Sequence, residues 1–164
     1  MASIVFRYLT VLVFSLCLMG FFSPPTLAAG SPPLLNSELN PQTQTMDLAI
    51  DSFLDSIPAN YYAIRTPAAL KKRLDDAKTT LVDVREVKEY QAGHIPGAIN
   101  IPLRTLSHNL AQIPPDRKVI FYCSTGYRSA MAMMALNLLG YENVLAFSPS
   151  FTGWQAAGEA IAKA

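Results

Sequence analysis

Cys123 and Arg128 bracket the short segment Cys-Ser-Thr-Gly-Tyr-Arg, and a further hydroxyl follows at Ser129. A thiol becomes a nucleophile once it loses its proton, and a helix N-terminus or a neighbouring cation favours that loss. Gly126 permits the backbone conformations that a tight anion cradle needs. Ser124, Thr125 and Ser129 add hydroxyl donors, and Arg128 adds a charge that can bind an anion. Free peptide N–H groups at the start of a helix would complete a concave nest for that anion. Taken alone, a single cysteine is more simply an inert core residue. The glycine and arginine that follow Cys123 favour a working thiol.

Such chemistry needs a strand and a helix on either side. Lys118 to Tyr122 is a short apolar run with β-branched and aromatic residues, which reads as a buried strand. Ala130 to Leu139 is rich in Ala, Met and Leu and is closed by Gly140, which predicts a helix. Cys123 therefore falls between a strand's C-terminal end and a helix start, where open α/β sheets bind ligands. Further strands are expected at Tyr61–Ile64, Thr79–Val84, Ala98–Ile101 and Val144–Phe147. Helices are expected from Thr66-Pro67, over Val87–Ala92, around Leu103, Leu106 and Leu110, and over Thr152–Ala157 with Trp154 in the core. The alternation predicts an α/β fold, a parallel sheet of four to five strands with helices on both faces.

Several of these segments together resemble the rhodanese-type sulfurtransferases. Cys123-Ser-Thr-Gly-Tyr-Arg128 is similar to that family's six-residue active-site loop. Leu81-Val-Asp-Val-Arg-Glu86, Glu89-Tyr90, Gly93-His-Ile-Pro-Gly-Ala98 and Asn100-Ile-Pro102 resemble its other signature segments, in the same order. The resemblance implies a rhodanese-like fold with a central sheet of about five strands. It implies a Cys123 persulfide, held by the loop Ser124, Thr125, Gly126, Tyr127, Arg128 and Ser129. It further implies a small anionic sulfur donor such as thiosulfate and an acceptor that is cyanide or a thiol, including a protein thiol. No cofactor is called for, and a monomer is expected. Asp83 and Arg85 are expected to support the site as a charge pair at a strand end, and His94 to hydrogen-bond neighbouring backbone. Two departures stand out. Pro149-Ser150 replaces the Gly-Gly pair usual after the last strand, and Ser124 replaces the basic residue many thiosulfate users carry after the cysteine. A persulfide carrier, an anion-binding module or an oxidant sensor is the alternative. Phosphatases and arsenate reductases with a Cys-to-Arg loop place five residues in that interval, against four here.

The whole chain has 164 residues, 51% of them hydrophobic, with a net charge of +1. No basic stripe suggests nucleic acid. Two histidines, His94 and His108, with no Cys/His cluster argue against a metal site. Residues 1–29 read as an export signal: Arg7, the uncharged apolar run of residues 8–22, then Thr26-Leu-Ala-Ala29. The alternative is a membrane anchor, but the run is short beside the about 20 residues a span needs. Cleavage would remove Cys17, leave Cys123 as the only thiol and place the protein in the periplasm or outside the cell. Residues 30–45 read as a flexible linker and 46–60 as an N-terminal accessory helix, and the resemblance implies a rhodanese domain over 61–164.

Overall fold

A computed structural model of the chain describes residues 40–164. The expected export signal, its membrane-anchor alternative, Cys17 and most of the linker lie outside the described residues. Among the described residues no helix is long and apolar enough to cross a membrane.

Pro41–Ser56 forms α1, which begins inside the stretch read as linker. Proline suits a helix's first turn because its missing N–H would have no partner there, so polar residues 41–45 extend the helix without an apolar period. Only Phe53 of the expected apolar face is buried, stacked on Tyr62 at 6.3 Å, while Met46 and Leu54 stay exposed. The chain continues through β1 (Ala63–Ile64), α2 (Pro67–Leu74), β2 (Thr79–Asp83), α3 (Val87–Ala92) and β3 (Ile99–Asn100). Two 3-10 turns, Leu103–His108 and Leu110–Gln112, precede β4 (Lys118–Tyr122), α4 (Tyr127–Leu138), β5 (Val144–Phe147) and α5 (Ser150–Ala156). The Leu103 to Leu110 segment was expected as one helix. Asn109 leaves helical geometry at φ −120°, and the span between Pro102 and Pro114 closes as short turns.

Thr66 begins α2 as anticipated, its hydroxyl accepting from the Ala69 N–H at 3.1 Å. The five strands pair in the order β1-β5-β4-β2-β3, all parallel. Parallel strands at the centre of such a sheet are buried on both faces, which explains their continuous apolar character. Successive β4 side chains alternate. Val119, Phe121 and Cys123 join the cluster under α4, with Ala132, Met133 and Leu136. Ile120 and Tyr122 join the opposite cluster, with Leu70, Ile95, Phe147 and Trp154. Trp154 is the core residue its sequence context suggests, with its indole N–H donating to the Ala160 carbonyl at 2.7 Å. The register sets Asp83 beside Tyr122, so the ends of β2 and β4 lie side by side where the Cys123 loop begins.

Candidate active site

Cys123 leaves β4 with its sulfur almost wholly enclosed, 1% of the residue being exposed. Gly126 turns the chain back at φ 106°, a left-handed geometry that glycine adopts freely. A Cβ at Gly126 would sit 2.7 Å from the Ser148 carbonyl oxygen, so the loop also requires glycine for space. The Gly126 N–H then donates to the Cys123 Sγ at 3.1 Å. Helix α4 starts at Tyr127, three positions before the sequence suggested, so Tyr127, Arg128 and Ser129 form its first turn. This places the helix's unpartnered amides close to the sulfur.

The electrostatic outcome is a thiol with a lowered pKa. Burial pushes it up, but bonds from the amides of Ser129, Gly126 and Thr125 and from the Ser150 hydroxyl pull it below its ordinary value. A second helix supports the loop from behind. The Phe151 N–H donates to the Cys123 carbonyl at 2.9 Å, and the Thr152 N–H to the Ser124 carbonyl at 3.0 Å.

The loop hydroxyls are placed differently from expectation. Ser124 donates to Glu89 at 2.9 Å, Ser129 donates to the Gly126 carbonyl at 2.8 Å, and Thr125 is exposed. Tyr127 is 83% exposed and lies on the surface beside the loop. The hydroxyl that does approach the sulfur belongs to Ser150, at 3.8 Å. It also accepts the Cys123 N–H at 3.2 Å.

Arg128, expected as a cation open to an anion, is already engaged. Its guanidinium forks onto Glu89 with Nη1 at 2.6 Å and Nη2 at 2.9 Å, and Nη2 also donates to Ser124 Oγ at 2.8 Å. Glu89 first, with Cys123 adding, keeps Arg128 charged well above its ordinary range. Glu89 in turn accepts the Glu86 N–H at 3.0 Å, half of a capping box that starts α3. One carboxylate thus ties a helix start to the loop.

The Arg128 bonds, with help from the Glu86 backbone and Ser124, lower the Glu89 carboxyl from its ordinary 4.5 to about 2. A lowered folded-state pKa means that the carboxylate stabilises the fold above its unfolded value and that this contribution disappears in acid. Glu89→Gln should therefore destabilise the protein near neutrality, by about 1 kcal/mol once solvent screening of a partly exposed pair is allowed for. The difference should shrink as pH falls from 4.5 to about 2. Denaturant midpoints of both proteins across that range measure it, and a constant gap would contradict the assignment.

Asp83 and Arg85 form a buried ion pair at the end of β2. Asp83 accepts four contacts from Arg85, including Nη2 at 2.6 Å, and Arg85 reaches the Gly93 carbonyl at 2.7 Å. The Arg85 guanidinium also lies 4.1 Å from the Phe151 ring centroid, behind the loop. The Nδ1 of His94 lies 3.1 Å from the Tyr90 carbonyl, its ring stacks on Tyr90 at 3.8 Å, and its backbone pairs with Ala162.

A model of the rhodanese-like domain matches residues 66–157. A sulfurtransferase of Allochromatium vinosum is 35% identical over 91 residues, 55% of this chain and 85% of that one. An HTH-type transcriptional regulator of Mycobacterium tuberculosis is 52% identical over 62 residues, 38% of this chain; this chain covers less than half the length of several curated relatives, 27% in that case. The crystal structure of a rhodanese-related protein from Thermoplasma volcanium superposes with a TM-score of 0.56 at 30% identity, covering 61% of this chain and 96% of its own. The matched span holds the Cys123 loop, its Glu89 tether and all but the first strand of the sheet, and the chain belongs to the rhodanese-like domain family.

Proposed function

We propose that this chain is a sulfurtransferase that carries a sulfane sulfur on Cys123. The Cys123 thiolate attacks the outer sulfur of a donor such as thiosulfate. A new S–S bond forms, the donor's own S–S bond breaks, and sulfite departs with the electron pair. An acceptor thiol or cyanide then takes the outer sulfur and regenerates the thiolate. This is covalent catalysis in two half-reactions. The observation that carries the reading is the Gly126 N–H donated to Sγ at 3.1 Å where α4 begins. Dipoles fixed in place stabilise charge on sulfur without reorganising as it develops. The interval of four residues from Ser124 to Tyr127 makes a small ring, better matched to one sulfur atom than to a tetrahedral phosphate or arsenate.

The role of Arg128 shifts in this scheme. Bound to Glu89 and Ser124, it is a strut that fixes the loop, and donor charge is met mainly by amides. A neutral mouth, with Ser124 after the cysteine and Arg128 paired, supports a second reading: a carrier that takes sulfur from a donor and hands it to a protein thiol. Exposure to thiosulfate should raise the intact mass by one sulfur atom, located on the Cys123 peptide and removed by cyanide. Absence of that gain with thiosulfate, and also with a small-molecule persulfide, defeats both readings. Sustained turnover selects the enzyme, and a single transfer selects the carrier.

A further inference from the structure

Ser150 opens α5 directly after Pro149, and its backbone shows the cost. Its φ is 54°, in the left-handed region that glycine enters freely and other residues enter against steric resistance. The residue is fully buried. Its neighbours hold it there. Pro149 precedes it, and Gly153 leaves room for the Pro149 ring, since a Cβ at Gly153 would lie 2.3 Å from Pro149 Cβ.

The hydroxyl has one proton and three partners. It accepts from the Cys123 N–H at 3.2 Å, and it faces two acceptors, the Phe147 carbonyl at 2.9 Å and the Cys123 Sγ at 3.8 Å. A neutral thiol is a weak acceptor, so the carbonyl holds the proton while Cys123 is protonated. A sulfur anion is a far stronger acceptor in a site where water does not compete. Rotation about one bond moves the proton from the carbonyl to the sulfur.

We propose that Ser150 is a positioning residue for Cys123: its hydroxyl fixes the cysteine backbone and turns its proton onto Sγ when the sulfur becomes anionic. The inference rests on Cys123 as the working thiol, and it adds to the amide ring a donor that responds to the state of the sulfur. The amides come from Cys123's own loop and its helix, whereas this donor comes from α5, on the other side of the cysteine.

Ser150→Gly tests the idea, because glycine accepts the left-handed backbone geometry while the hydroxyl is lost with its methylene. Alkylation of Cys123 by iodoacetamide in the full chain, followed on its own peptide to exclude Cys17, reads the thiolate directly. At about pH 7 the variant should react roughly fivefold more slowly, the effect of losing a hydrogen bond worth about 1 kcal/mol. The deficit should vanish near about pH 10, where the thiol is ionised in either protein. Ser150→Ala, with the same missing hydroxyl, should show the same pH-dependent deficit. An unchanged profile in Ser150→Gly overturns the proposal. So does a deficit that is equal at every pH, which would mark a purely architectural serine. Alkylation needs no sulfur donor, so this failure is distinguishable from a failure to form the persulfide.

Discussion

Cys123→Ala is expected to remove sulfur transfer, lowering turnover by roughly three orders of magnitude or more, as for loss of any covalent nucleophile. The fold should survive. Cys123 is part of the apolar cluster beneath α4, and truncation to alanine removes one sulfur atom from a packed site. That leaves a small void, worth about 1 kcal/mol. The same change also removes a group whose ionised form is buried, which works in the opposite direction. Cys123→Ser is the sharper control. Its oxygen can take the Gly126 N–H in place of sulfur, so the loop keeps its shape, yet a hydroxyl at neutral pH is a poor nucleophile there. Sulfur release from thiosulfate in the presence of cyanide measures both variants. Turnover retained in either one would remove Cys123 from the mechanism.

The largest effect on stability is expected at Asp83. Its carboxylate is fully buried and takes the Arg85 Nε and Nη2 groups together with the Arg85 backbone N–H. Asp83→Ala strands a guanidinium whose side chain is only 4% exposed. Breaking a buried pair from one side costs about 3–5 kcal/mol, a large share of the about 5–15 kcal/mol that holds a typical domain together. The Gly93 carbonyl and the Phe151 ring remain near Arg85 and moderate the loss without replacing the charge. Denaturant melts should show the midpoint falling sharply. Replacing both partners by apolar residues of similar volume should recover much of the deficit, because no lone buried charge is then left. A single-variant change below about 1 kcal/mol would contradict the description of this pair.

The centre of the fold was legible because its signals are local. The apolar run before Cys123 and the Ala, Met and Leu content after it specify a strand and a helix within one short window, and both form. The contacts of His94, Asp83 and Arg85 are also local: a turn onto the Tyr90 carbonyl, and a charge pair at a strand end. The partners of the loop were not legible in the same way. Glu89 lies 39 residues from Arg128, and Ser150 lies 27 residues from Cys123. Only the sheet order brings them together. Glu89 was visible as a signature residue without its partner, and Ser150 was visible as a departure without its purpose. The Leu103 to Leu110 segment shows another limit, since leucines at helical spacing do not reveal that the chain breaks at Asn109 into two 3-10 turns. Extending α1 to Pro41 required recognising that proline can open a helix whose first residues are all polar.

The two carbonyls gripped by α5 have a geometric consequence. A peptide unit is a rigid plane in which C=O and the following N–H point in opposite directions. Seizing the Ser124 oxygen from outside therefore aims the Thr125 hydrogen inward. The electrostatics of the Cys123 sulfur are in this sense steered remotely, by the backbone of a helix that begins 27 residues further along the chain. A change that loosens the first turn of α5 would shift the ionisation of Cys123 without altering any residue of its own loop.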